Sequence, residues 1–284
     1  MKSSCANCTS GCATPSLCSD LGRRRTVKPS RLRIATYNIH KGVTSFRRRS
    51  RLNELRLALH RIDADILFLQ EVQERSDRGA AAQLDVLASS GYLYRAYGVN
   101  AVYPQGHHGN AILSRFPIER YVNHDISDHV LERRGVLHAV VHCPDTPDCG
   151  IHLLCAHLGL IQASRLRQAD WLAAFIEREI PPDAPLILGG DFNDWRRRVD
   201  ERLRARLGLE EAAEAIPPSA WAERMLPPHR QPRVARTFPS FSPWLTLDRI
   251  YVRGFRALAA RVPRGVSWAR CSDHAPLIAD LEWS

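Results

Sequence analysis

The chain has 284 residues, 44% hydrophobic and 25% charged, with a formal net charge of +10. That balance excludes a wholly disordered chain, and the length suits one large domain with a tail. No apolar run approaches the roughly 20 residues that cross a bilayer, and the N-terminus lacks the apolar stretch of a secretory signal, so a cytoplasmic location is expected.

Residues 1–30 read as a flexible, basic, cysteine-rich leader and 31–284 as the folded domain. Residues 1–33 hold seven basic residues against Asp20, a balance of +6 that leaves only +4 for the rest. A mildly basic body suits any anionic phosphate substrate and does not by itself select DNA or RNA. Cys5, Cys8, Cys12 and Cys18 crowd the leader at short spacings that could clip a Zn²⁺, although they do not follow a familiar knuckle pattern. Cys143 and Cys149 flank a Pro/Asp turn, where a hairpin disulfide would form in an oxidising compartment. In a reducing cytoplasm the body cysteines are expected to stay thiols.

In the body, Leu32 to Tyr37 alternates apolar with other residues and predicts a first strand ending in Asn38. Leu52, Leu55, Leu57, Leu59 and Ile62 recur at helical spacing. The run Ile66 to Leu69 predicts a buried strand that delivers Glu71 at its end. A helix is expected across 80–88, then strands near 92–97 and 110–113, and a hairpin-like pair at 136–142 and 151–156. Residues 164–180 form an amphipathic helix stopped by Pro181-Pro182. The run Leu186-Ile187-Leu188 ends at Gly189-Gly190-Asp191. Residues 208–245, rich in Pro and Arg, read as a long irregular excursion with a short helix. Strands return at 247–252, 257–262 and 276–281.

Phosphodiester cleavage needs a cation on the phosphate oxygens, an oriented water and donors around the developing charge. Mg²⁺ prefers carboxylate and amide oxygens, and Asn38 and Glu71 supply one of each after buried strands. Asp191 and Asn193 follow a third such strand, where two glycines permit a tight turn and leave room for substrate. Asp248 and His274 are a natural pair, because a carboxylate that orients a histidine is a recurring device. Taken singly, a strand-ending Asp or Asn is more often a turn former, and a lone His in an apolar strand more often a satisfied structural group. Their recurrence at the ends of six separate segments is what points to a site.

The segments TYNIHKG, LQEV, GNAILSR, CAHL, GGDFN, LDRIYV and SDHAPL occur in an order that resembles the endonuclease/exonuclease/phosphatase (DNase I-like) superfamily across residues 31 to 284. The resemblance implies an α/β fold, a four-layer sandwich of two packed mixed sheets flanked by helices. It also implies a metal-dependent phosphodiesterase using Mg²⁺, or Mn²⁺ in its place. Asn38, Glu71 and Asp273 would serve the metal. Asp191 would activate water, Asn193 would help hold the phosphate, and His274 with Asp248 would contact the scissile group. His157 matches the family's other catalytic histidine, and Asn110 a further amide on the phosphate side. His40, Lys41, His107, His108 and Arg134 are secondary candidates for binding substrate phosphate. The expected substrate is nucleic acid, with a phospholipid head group or an inositol phosphate as runner-up. Details such as YNIHKG and HLGL look nearer to the sphingomyelinase-like members than to abasic-site endonucleases. A binding module without chemistry would lack an acid or a histidine, and none is missing here.

Overall fold

The computed structural model describes residues 31–43, 50–75, 82–130, 132–143, 150–218, 224–225 and 233–284. The leader with its four cysteines, Cys149 and Trp221 lie outside the described residues, and with them the expectations placed on them. No helix among the described residues is long and apolar enough to cross a membrane.

The first strands follow directly from apolar runs. β1 (Leu32–Asn38) and β2 (Ile66–Arg75) pair in parallel, with α1 (Leu52–Ile62) as the crossover. α1 buries Leu55, Ala58, Leu59 and Ile62 on one face, as its spacing predicts. α2 (Gln83–Ala88) begins where the Glu74 carboxylate accepts hydrogen bonds from the N–H groups of Gln83 and Leu84. β3 (Tyr94–Tyr103) and β4 (Gly106–Ser114) form a hairpin, and the edge strand β5 (Ile118–Asp125) leads into β6 (Gly135–Val141) and β7 (Ile151–His157). α3 (Gln162–Glu179) crosses over to β8 (Leu186–Asp191), which is parallel to β7. α4 (Arg198–Leu207) and the two-residue β9 (Glu210–Glu211) precede a 3-10 turn at Ala212–Ala215. β10 (Asp248–Arg253), β11 (Phe255–Arg261) and β12 (Leu277–Trp283) close the chain.

These strands make two six-stranded sheets, ordered β11-β12-β1-β2-β4-β3 and β5-β6-β7-β8-β10-β9. One apolar cluster lies between them, with Ile34, Phe68 and Ile112 from the first sheet and Leu153, Ile187 and Ile250 from the second. A second cluster seals the outer face of the first sheet under α1 and α2, and a third seals the second sheet under α3 and α4. The result is a four-layer α/β sandwich. Because β7 and β8 are buried along their whole length, they carry the apolar runs Leu153 to Ala156 and Leu186 to Leu188 rather than alternating ones.

β5 and α4 were not expected from the sequence. β5 is a largely exposed edge strand with a polar sequence, and α4 buries only Val199, Asp200 and Leu203 among charged neighbours. Neither carries an apolar periodicity strong enough to read.

Of three histidines on adjacent strands, His124 meets Trp171 and Phe175 of α3, His138 meets Phe175, and His152 stacks on His138, whose Nε2 lies 3.0 Å from His152 Nδ1. Burial pushes His138 down to about 4, and His152 and His124 add to the shift. Its ordinary value is 6.5, so the unfolded chain binds a proton there that the folded chain refuses. Stability from this group is therefore complete above pH 6.5 and drains away as pH falls toward 4. Allowing for partial solvent access, the loss is about 2 kcal/mol. In urea titrations at pH 7 and pH 4.5, His138→Gln should lose about 2 kcal/mol less than wild type between the two conditions. An identical loss in both proteins would remove this cluster as the cause.

Candidate active site

Segments far apart in sequence converge because β1, β2, β7, β8 and β10 share the sandwich interior. Asn38 ends β1, and its Nδ2 donates to Asp191 Oδ2, at the end of β8 in the opposite sheet, at 3.0 Å. Asp191 Oδ1 accepts the Asn193 backbone N–H at 2.9 Å, and Asn193 Nδ2 donates to the Leu158 carbonyl just past β7. Asp191 pairs in register with both His157 on β7 and Asp248 on β10. The Nε2 atoms of His157 and His274 each lie 3.6 Å from Asp191 Oδ2, and His274 Nδ1 lies 2.8 Å from Asp248 Oδ2. All five of Asn38, His157, Asp191, Asp248 and His274 are buried.

Burial sets the charges of this group, and the neighbours decide its sign. Desolvation raises Asp191, and Asp248 raises it further, while His274 and the donors Asn38 and Asn193 hold it down; the balance is about 6. Burial alone would lower His274, but Asp248 and Asp191 overcome that and raise it to about 10. His157 is lowered well below its usual value by burial and by the positive charges of Arg134 and His274. At neutral pH the centre thus holds an ionised Asp191 between a protonated His274 and a neutral His157.

Two sequence expectations need correction. Glu71 was placed at a strand end, but β2 runs on to Arg75 and Glu71 sits in a bulge, where the register with β4 slips between Leu69 and Val72. The bulge turns Glu71 into the left-handed region, φ 58°, and re-aims its side chain into a cleft of about 770 Å³. The glycines before Asp191 do not form the expected turn: both are inside β8. A Cβ on Gly190 would lie 1.9 Å from the Ala156 carbonyl oxygen, and one on Gly189 would lie 2.7 Å from the Phe68 ring. They are needed for close packing of strands and sheets.

The cleft is lined by Lys41, Glu71, Tyr103, His108, Glu132 and Arg134, among others. His108 stacks on Tyr103 with ring centroids 5.3 Å apart, and burial lowers it to about 4. Arg134 donates to Glu132 at 3.0 Å. His107 points elsewhere, to the Tyr97 hydroxyl at 3.0 Å. Asn110 lies in mid-strand on β4, and its amide nitrogen is spent on the carbonyls of Gly135 and Cys155 in the other sheet. Its Oδ1 remains buried without a partner. His40 Nδ1 is 3.3 Å from Asp273 Oδ2, and the His40 N–H donates to Asn38 Oδ1. Four of the six non-glycine residues with positive φ are His40, Lys41, Glu71 and Asn193, so backbone strain among the described residues concentrates here.

Ser272 is a residue that sequence reasoning missed. Its Oγ donates to the Asn38 carbonyl at 2.7 Å and accepts the His274 N–H at 3.2 Å, which joins β1 to the segment before β12. The signal was a serine two residues before His274, a common turn geometry that alone has no functional meaning.

Residues 35–274 match the endonuclease/exonuclease/phosphatase family. The chain is 41% identical over 257 residues to the uncharacterized protein YbhP of Escherichia coli strain K12, covering 88% of this chain and 95% of that one. Among solved structures it is similar to the mannosyl-6-phosphatase Bt3783 of Bacteroides thetaiotaomicron (TM-score 0.66, 20% identity, 89% of this chain and 100% of that one). It is also similar to truncated TDP2 of Caenorhabditis elegans (TM-score 0.62, 22% identity, 89% and 97%). At those identities the solved structures speak to the fold.

Proposed function

The chain belongs to the endonuclease/exonuclease/phosphatase family, and from that premise we propose that it is a divalent-metal-dependent phosphodiesterase that cleaves its substrate by attack of water. The observation that carries this reading is the buried arrangement of Asp191 against His274, with His274 held in turn by Asp248. Asp191, ionised at neutral pH and close to that point of balance, accepts the proton of the attacking water. His274 presents its protonated Nε2 to a phosphate oxygen, and Asp248 fixes the ring and keeps it charged. Asn193, anchored through Leu158, and neutral His157 complete the ring of donors.

A hard divalent ion fits the oxygen donors beside this centre. Among the described residues Glu71 has neither an ion pair nor a hydrogen bond, although its carboxylate faces the cleft. Its strand neighbour Gln70 is in register with Asn38, and Asp273 is tied to the same corner through Ser272 and His40. Asn38, Glu71 and Asp273 would hold Mg²⁺, or Mn²⁺ in its place. Asp191, Asp248 and His274 also lie close enough to share an ion, an arrangement that would use a lone pair of the His274 ring and take it away from its role as a donor. The ion supplies charge neutralisation on the phosphate.

Nucleic acid is the first substrate we assign. The cleft sets Lys41, Arg133 and Arg134 against Glu71, Asp125 and Glu132, so recognition centres on the scissile phosphate rather than on a long basic track. Purified protein should hydrolyse at least one of plasmid DNA, single-stranded DNA, RNA, sphingomyelin, cardiolipin and inositol phosphates with Mg²⁺ and lose that activity in EDTA. Glu71→Gln should lose it at all but high Mg²⁺. Activity restricted to a lipid or a small phosphate would keep the mechanism and move the substrate; turnover indifferent to EDTA would remove the metal.

A further inference from the structure

The loop after β7 and the loop after β8 each leave the reacting centre carrying exposed apolar residues. Leu160 is 61% exposed, Ile161 54% and Trp195 45%, and none belongs to the apolar clusters of the core. Trp195 stands two residues past Asn193, and Leu160 three past His157. Exposed large side chains are ordinary when scattered, but these are held in place.

The clamp is Arg165 on α3, only 2% exposed. Its Nη1 donates to the Gly159 carbonyl at 3.2 Å and to that of Leu160, while its guanidinium carbon sits 4.9 Å from the centroid of the Trp195 ring. One buried cation therefore fixes both loops. Burial pulls the Arg165 pKa down, and Asp194, Glu132 and Asp191 counter it, so the charge is kept at some cost. The same loop is joined to the cleft through Glu132, whose Oε1 accepts both the Leu160 N–H at 2.9 Å and Arg134 Nη2 at 3.0 Å.

We infer that Trp195, held by Arg165 and flanked by the Leu160–Ile161 loop, is a stacking platform that selects phosphate esters bearing a planar ring next to the phosphate. The inference rests on the phosphodiesterase reading and deepens it by naming the substrate class. A flat indole with one face on a guanidinium offers its other face at little ordering entropy, and ring stacking tolerates any base or aryl group. Arg165 is a positioning residue; Trp195 is the residue that meets the ligand.

The test is equilibrium binding by calorimetry in Mg²⁺, using phenyl phosphate, methyl phosphate and hexyl phosphate as probes. Wild-type protein should bind phenyl phosphate about tenfold more tightly than methyl phosphate. In Trp195→Ala that ratio should fall close to one, and in Trp195→Phe most of it should return. A phenyl-to-methyl ratio equal in wild type and Trp195→Ala overturns the platform, and hexyl phosphate binding as tightly as phenyl phosphate overturns the choice of a planar ring. Failure of the hydrolytic reading would look different: no turnover, with the binding ratio intact.

Discussion

His274→Ala is expected to lower phosphodiester turnover by about 10³-fold or more with the native fold retained by circular dichroism. The size follows from what the side chain does. His274 is the protonated donor closest to Asp191, and its charge exists because Asp248 lies 2.8 Å away and Asp191 3.6 Å away. In the proposed mechanism its removal takes away the donor to the phosphate; it also leaves two buried carboxylates facing each other, which raises Asp191 and weakens it as the proposed base. Asp248→Asn should produce part of the same loss, because the ring keeps a partner but loses the charge that holds its proton. The measurement is turnover against pH for both variants. Turnover within tenfold of wild type in His274→Ala, with the fold intact, would end the assignment.

Arg249→Ala is expected to destabilise the fold by about 3 kcal/mol, because it removes one of the two partners of buried Glu211 and leaves the Asp194 carbonyl without its donor. Arg249 is fully buried; its Nη1 lies 2.7 Å from Glu211 Oε1 and its Nη2 donates to the Asp194 carbonyl at 3.0 Å. Glu211 is also held by Arg197, which bridges to Asp200, and Asp200 accepts the Tyr251 hydroxyl at 3.0 Å. Asp194, for its part, accepts the first free N–H groups of α4. The network thus anchors the turn that carries Asp191 and Asn193. A thermal shift of about 10 °C is expected, against about 1 °C or less for Arg256→Ala, whose pair with Glu282 is exposed. Equal shifts in the two variants would show that the buried network is not what holds this region.

Most of the architecture was legible because buried strands leave a strong mark. β1 alternates apolar with other residues, β7 and β8 carry short apolar runs, and α1 repeats its leucines at helical spacing. β5 and α4 were not, since an exposed edge strand and a helix with a narrow buried stripe need little apolar sequence. The site residues were recognisable as types at strand ends and by family resemblance. Ser272 and Arg165 were not, because their meaning lies in partners on other elements, Asn38 and Trp195.

By itself, then, the sequence determined which segments are buried and that Asn38, His157 and Asp191 stand at the ends of three of them. Local periodicity and strand-end chemistry are properties of neighbouring residues, so a linear reading reaches them. Only the tertiary structure decided that Glu71 turns into the cleft through a bulge, that Gly189 and Gly190 serve close packing, and that Asp191 receives Asn38 from the other sheet. It also decided the charges: a carboxylate near 6 beside an imidazolium near 10 arises from shared burial of groups 83 residues apart in the chain, and desolvation and proximity exist only once the two sheets have closed on each other.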